Sequence, residues 1–189
     1  GANSSFVNRI VDEKLPARDV VSDPVEVVER FERYAHPRIP LPADIFAGQR
    51  RNSRGINFAA ESQQIQLARQ MAEFRERRWK AAPVGGDGLA SGETVEACSP
   101  ADRDDVVGSV TVADSAAAQA AVENAQRAQP DWDSTPADQR AGCLERMADL
   151  LEDNRAELMA LCVREAGKTL IDGINEVREA ADFCRYYAQ

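Results

Sequence analysis

ETVEACSPADRDDVVGSVTVADSAAAQAAVENAQRA, residues 93–128, changes texture twice along its length. ETVEAC (93–98) and VVGSVTVA (106–113) are short and rich in Val and Thr, residues that suit a pleated, half-buried surface. SPADRDD between them is built of turn formers, so the two runs read as an antiparallel hairpin. From Ser115 the period becomes helical. Ala118, Ala121, Val122 and Ala125 fall on one side of a helix predicted to end near Ala128. A two-stranded hairpin alone is barely stable in water, so this one is expected to pair with strands that this chain does not contain.

Three more helices follow. PDWDSTPADQR (130–140) reads as a turn and a helix start, with Thr135 as N-cap, Pro136 at the first position and Asp138 in the first turn. Cys143, Leu144, Met147, Leu150 and Leu151 form the predicted buried face of that helix. AELMALCVREAG (156–167) is another. In TLIDGINEVREAADFCRYYAQ (169–189), Ile171, Ile174, Val177, Ala181 and Cys184 recur at helical spacing. The GKT at 167–169 is no phosphate loop, because Cys162 stands where the second glycine is needed and the approach is helical. Gly167 is instead predicted to end one helix in the left-handed conformation, with Arg164 in its last turn and Thr169 capping the next.

Upstream, residues 59–81 are predicted to be one helix, with Leu67, Met71 and Phe74 on an apolar stripe. PVGGDGLASG (83–92) reads as a flexible break. DPVEVVERFERYA (23–35) reads as a helix capped by Asp23 with Pro24 at its first position. HPRIPLPADIFAG (36–48) has three prolines in six residues and is predicted to run extended. RRNSRG (50–55) could bind phosphate, but loop arginines are more often solvated or salt-bridged, and that reading is preferred. The chain therefore divides into residues 1–57, an extended proline-rich linker; 58–92, a helix and a break; and 93–189, the hairpin with its helices. The fold class is mainly α with a short antiparallel hairpin.

The 189 residues are 43% hydrophobic and 29% charged, enough apolar content for a core. Residues 1–92 hold 14 Lys and Arg against 12 Asp and Glu, whereas residues 93–189 hold 9 against 20. So acidic a second half disfavours nucleic acid or an anionic membrane as partner. The four cysteines have no CxxC spacing and His36 is the single histidine, so no Cys/His metal site is predicted. Free thiols among apolar positions suit a reduced, cytoplasmic setting. No run is long and apolar enough to span a membrane, and the start lacks a signal-peptide pattern. That start lacks methionine and the end falls within a helical pattern, so a piece of a longer protein is expected. No nucleophile–base pair is assembled, so no catalytic residue is predicted.

Residues 97–189 carry a resemblance. The SPAD loop in the hairpin and the alanine-rich helix are followed by Trp132 and Arg140 at a helix start. E-x-GK then stands at Glu165, Gly167 and Lys168, and D-x-x-RYYA at Asp182, Arg185, Tyr186, Tyr187 and Ala188. This resembles the N-terminal part of the aldehyde dehydrogenase family. GANSSFVNRIVDEKLPARDVVSDP with HPRIPLPADIFAGQRRNSRG is similar to the junction in the bifunctional bacterial proline utilization A family. There a flavin-dependent proline dehydrogenase module ends and a linker leads into pyrroline-5-carboxylate dehydrogenase.

The resemblance implies a parent that oxidises proline with FAD and then glutamate semialdehyde with NAD, passing the intermediate between two sites. It places the flavin barrel before Gly1. The nicotinamide-binding sheet, the nucleophilic cysteine and its general-base glutamate come after Gln189, so this segment holds neither cofactor and is inert alone. Partners would be the other modules of the same polypeptide and the parent's substrates, in a cytoplasmic homo-oligomer, with peripheral attachment to the inner membrane left open. In pyrroline-5-carboxylate dehydrogenases a glutamate in an E-x-x-D-F context faces the aldehyde site. Glu179, Asp182 and Phe183 reproduce it, which implies that Glu179 binds substrate. Read from the helix alone, Glu176 and Glu179 are solvated carboxylates. The alternative for the whole chain is a stand-alone acidic interaction module.

Overall fold

The computed structural model describes residues 14–34, 36, 38–85, 89 and 92–189. They fall in two compact units, Gly1–Leu41 and Pro42–Gln189. Residues 1–13, Ala35, Pro37 and most of the break at 86–91 lie outside the described residues.

In the first unit α1 spans Ala17–Val20 and α2 spans Pro24–Glu29. Asp23 caps α2, accepting from the Val25 N–H at 2.8 Å, with Pro24 in the first turn. The helix predicted through residue 35 stops at Glu29. Val25, Val28 and Phe31 are all exposed. No packed face offsets the entropy of a longer helix here, and isolated short helices are marginal in water.

The second unit opens with a knot of turns. Pro42–Asp44 is a 3-10 turn, and Ala47 and Gly48 take positive φ. Asn52 ties the knot shut, its side-chain amide donating to the Pro42 carbonyl at 2.9 Å and its N–H to the Ala43 carbonyl at 3.0 Å. The proline-rich stretch therefore folds back here instead of running straight.

α3 spans Glu61–Ala72, and the predicted continuation to residue 81 is replaced by β1, Trp79–Ala81. The cause is tertiary. Arg164 donates to the carbonyls of Phe74 and Arg77, and its guanidinium lies 5.3 Å from the Trp79 ring centroid. The Trp79 indole N–H donates to Glu157 at 2.8 Å. Another side chain thus satisfies carbonyls that a continuing helix would have used, and the chain emerges extended.

β1 pairs in parallel with β3 (Val106–Thr111), which pairs antiparallel with β2 (Thr94–Cys98), giving the order β1-β3-β2. The hairpin is as predicted, but its third strand, expected from outside the chain, comes from within it, from the stretch predicted helical. A bulge skips Val107, since Ala97 opposes Gly108 and Cys98 opposes Val106. The extra residue is re-aimed, and Val107 is almost fully buried.

α4 spans Ser115–Ser134, with the Asp114 carboxylate accepting from the Ala117 N–H. It passes the predicted end at Ala128 and takes Pro130 inside it. The carbonyl that Pro130 leaves without an amide donor is that of Gln126, an exposed residue within reach of water. Thr135 is not the cap of the next helix. Its hydroxyl and that of Ser134 both donate to the Asp131 carbonyl, closing α4, and the following helix has no side-chain cap.

α5 spans Ala137–Asp153, α6 Arg155–Ala166 and α7 Leu170–Tyr187. Gly167 ends α6 with φ 63, and Thr169 caps α7 by accepting from the Asp172 N–H, both as predicted. The core gathers Leu67, Met159, Ile174 and Val177, with Ile56, Phe58, Met71 and Leu158 against it. Ile171 is exposed. The predicted face of α5 is rotated. Its buried positions are Ala148 and Glu152, while Cys143, Met147 and Leu150 are exposed. α5 and α7 pack against each other, and Ala148 and Ala181 on them have no exposed surface. Among the described residues no helix is long and apolar enough to cross a membrane.

Candidate functional site

The C-terminal half of α7 carries Glu179, Asp182, Phe183 and Arg185. Ile174, Val177 and Ala181 face the core, so at 3.6 residues per turn Glu179 stands on the outer side, where it is exposed. Phe183 is half exposed and stacks with Tyr187, ring centroids 6.2 Å apart. Glu176 forms an ion pair with Lys168, so among the described residues it is Glu176, of the two carboxylates one turn apart, that has a basic partner.

Asp182 is structural. One carboxylate oxygen accepts from the Ser53 N–H at 2.9 Å and lies 3.4 Å from Arg50, and the other accepts from the Ser53 hydroxyl at 2.7 Å. Arg50 also lies over the Phe46 ring. The next backbone N–H, that of Arg54, donates to Glu152 of α5, and the Arg54 side chain reaches Asp153 at 3.1 Å. Two successive amides of an extended segment are thus held by carboxylates of two different helices. Arg50 and Arg54 of the basic loop 50–55 are salt-bridged and Arg51 is exposed, within the preferred reading of solvated or salt-bridged arginines.

Glu152 is 5% exposed and also accepts from Arg185, itself 2% exposed, at 2.8 Å. Burial alone would raise its carboxyl. The hydrogen bonds from Arg185 and the Arg54 N–H, with the charge of both arginines, outweigh burial and hold it below its ordinary value. A depressed carboxyl contributes stability that is present above its unfolded value and lost as pH falls through the folded one. Thermal stability of the full-length protein is therefore expected to show a Glu152-dependent loss below about pH 4. Glu152→Gln should flatten that part of the profile, measured by melting temperature against pH.

The cysteines do not converge. Cys98, Cys162 and Cys184 are half-buried and Cys143 is exposed, the last against its predicted burial. Burial pushes the Cys162 thiol up, Glu176 adds to this and Lys168 offsets part of it, so it stays protonated at neutral pH. Among the described residues no group of His, Cys, Asp and Glu could hold a metal ion. The turn from β3 into α4 does not fit a dinucleotide, because the Asp114 carboxylate occupies the helix N-terminus where a pyrophosphate would sit. Sequence reasoning missed Glu152 and named Arg185 only as part of the D-x-x-RYYA motif, without its partner. A glutamate within an apolar period is the signal it could have used.

The aldehyde dehydrogenase family model matches residues 89–189. The chain belongs to the aldehyde dehydrogenase family. Within it, the bifunctional protein PutA of Salmonella typhimurium is 42% identical over 194 aligned residues, covering 100% of this chain and 15% of that protein. The 1-pyrroline-5-carboxylate dehydrogenase 2 of Bacillus subtilis is 33% identical over 106 residues, 56% of this chain and 21% of that protein. A crystal structure of bifunctional proline utilization A (PutA) shares the fold with a TM-score of 0.68 at 40% identity, over 100% of this chain and 16% of that one. The chain thus spans about 15% of the length of the PutA relative from Salmonella. It corresponds to a partial, N-terminal stretch of an aldehyde dehydrogenase fold with what precedes it.

Proposed function

We propose that the chain is a segment of a bifunctional proline-catabolic oxidoreductase. That parent converts proline to pyrroline-5-carboxylate with FAD and oxidises the derived glutamate semialdehyde to glutamate with NAD. The observation that carries this reading is the likeness to PutA along the whole chain, including residues before the aldehyde dehydrogenase match at 89. A stand-alone acidic module has no reason to match there. On this reading the segment acts only within the parent, and its partners are the other modules of the same polypeptide.

Its contribution to the second reaction is Glu179. The exposed carboxylate on the outer face of α7 would accept hydrogen bonds from the substrate's ammonium group, a charge-assisted contact that orients the semialdehyde. In the full-length enzyme Glu179→Ala is expected to lower kcat/KM for glutamate semialdehyde about ten-fold or more, the worth of one such contact. Proline oxidation should be unchanged. Semialdehyde kinetics equal to the unmodified enzyme's would make Glu179 a surface carboxylate only.

A further inference from the structure

We infer that Asp182 is a positioning residue for Glu179, resting on the reading that Glu179 meets the substrate's ammonium group. The two residues lie three apart on α7, so they share a side of the helix. α7 is tied to α5 by the Arg185 bonds to Glu152 and Asp149, and Ala148 and Ala181 on the two helices have no exposed surface. Asp182 adds a second directional contact, one turn nearer Glu179. Asp182 uses both oxygens on the 50–53 segment, binding the Ser53 N–H, the Ser53 hydroxyl and Arg50. The segment itself is anchored, because Asn52 bonds back to Pro42 and Ala43, and the Arg54 N–H is held by Glu152 of α5. Asn52 and Ser53 are buried, so water competes poorly for these bonds.

The lever is short and the tolerance small. A rotation of about 10° at the roughly 6 Å radius of a helix with its side chains moves a tip by about 1 Å. A misplacement of about 1 Å at a reacting centre can cost about a hundred-fold in rate. Loosening the clamp by one hydrogen bond therefore reaches Glu179 without touching substrate.

The test uses the full-length enzyme and two aldehydes, glutamate semialdehyde and 5-oxopentanoate, which has the same carbon chain without the amine. The readout is the ratio of their kcat/KM values, with KM and kcat separated. Asp182→Ala is expected to lower the ratio about ten-fold, chiefly through KM for the amino substrate. Asp182→Asn keeps an acceptor for the Ser53 N–H and should recover most of it. Adding Asp182→Ala to Glu179→Ala should lower the ratio no further, because both remove one interaction. Ser53→Ala removes only the hydroxyl and should lower the ratio about three-fold. It decides the matter if Asp182→Ala does not fold, and an unmoved ratio then overturns the inference. If Asp182→Ala slows both aldehydes equally, Asp182 is merely structural and the inference falls while Glu179 stands. If Glu179→Ala itself leaves the ratio unmoved, the reading of Glu179 fails and the inference with it.

Discussion

Arg185→Ala is expected to cost about 3–5 kcal/mol, the loss typical of breaking a buried ion pair from one side. Arg185 is 2% exposed and donates to Glu152 at 2.8 Å and Asp149 at 2.9 Å. Asp149 is largely exposed and can turn to water. Glu152, 5% exposed, cannot. Truncating Arg185 leaves that carboxylate buried with only the Arg54 side chain and N–H as partners, the guanidinium 3.7 Å away. Changing both residues, Arg185→Met with Glu152→Leu, should be less damaging than Arg185→Ala, because no unpaired charge remains. It still leaves the Arg54 N–H without its acceptor, at about 1–3 kcal/mol. Calorimetric melting of the full-length protein measures both. A loss below about 1 kcal/mol for Arg185→Ala would mean that the pair is hydrated like a surface bridge.

Gly108→Ala is expected to disrupt the joining of β1 to the sheet, at about 3 kcal/mol or more, the upper end of overpacking costs. A Cβ at Gly108 would lie 2.2 Å from the Trp79 carbonyl oxygen and 2.9 Å from its carbon. These are backbone atoms and no rotamer change can move them aside. Trp79 stands directly opposite Gly108 in the β1–β3 pairing, so β1 must part from β3. Trp79 would then lose its placement between Glu157 and Arg164. Faster amide exchange at Lys80 and Ala81 together with a lowered melting temperature is the expected result. Unchanged exchange there would show that β1 tolerates the methyl group.

Much of this was legible in the sequence because it depends on near neighbours. The hairpin follows from two Val-rich runs around a turn. The end of α6 follows from one residue able to take φ 63, and the caps at Asp23 and Thr169 from oxygens two or three residues from the amides they bind. These bonds form within a turn of chain, so local pattern specifies them. Glu179 could be picked out only by resemblance, because an exposed glutamate on a helix looks like any other.

The rest was decided by partners far along the chain. α3 and its continuation share a good helical pattern, yet Arg164, some 90 residues later, takes the carbonyls of Phe74 and Arg77 and Trp79 becomes a strand. The stripe of α5 was assigned to Met147 and Leu150 on hydrophobicity, but Glu152 is buried because Arg185 and the Arg54 N–H come to meet it. Thus the hairpin, α6, α7 and the caps at Asp23 and Thr169 were determined by the sequence on its own. The buried face of α5, the third strand, and the clamp of residues 50–54 to α5 and α7 were decided by the tertiary structure. A buried charge or a carbonyl taken from a helix is stable only when its partner is delivered, and folding delivers partners across distances that periodicity does not see.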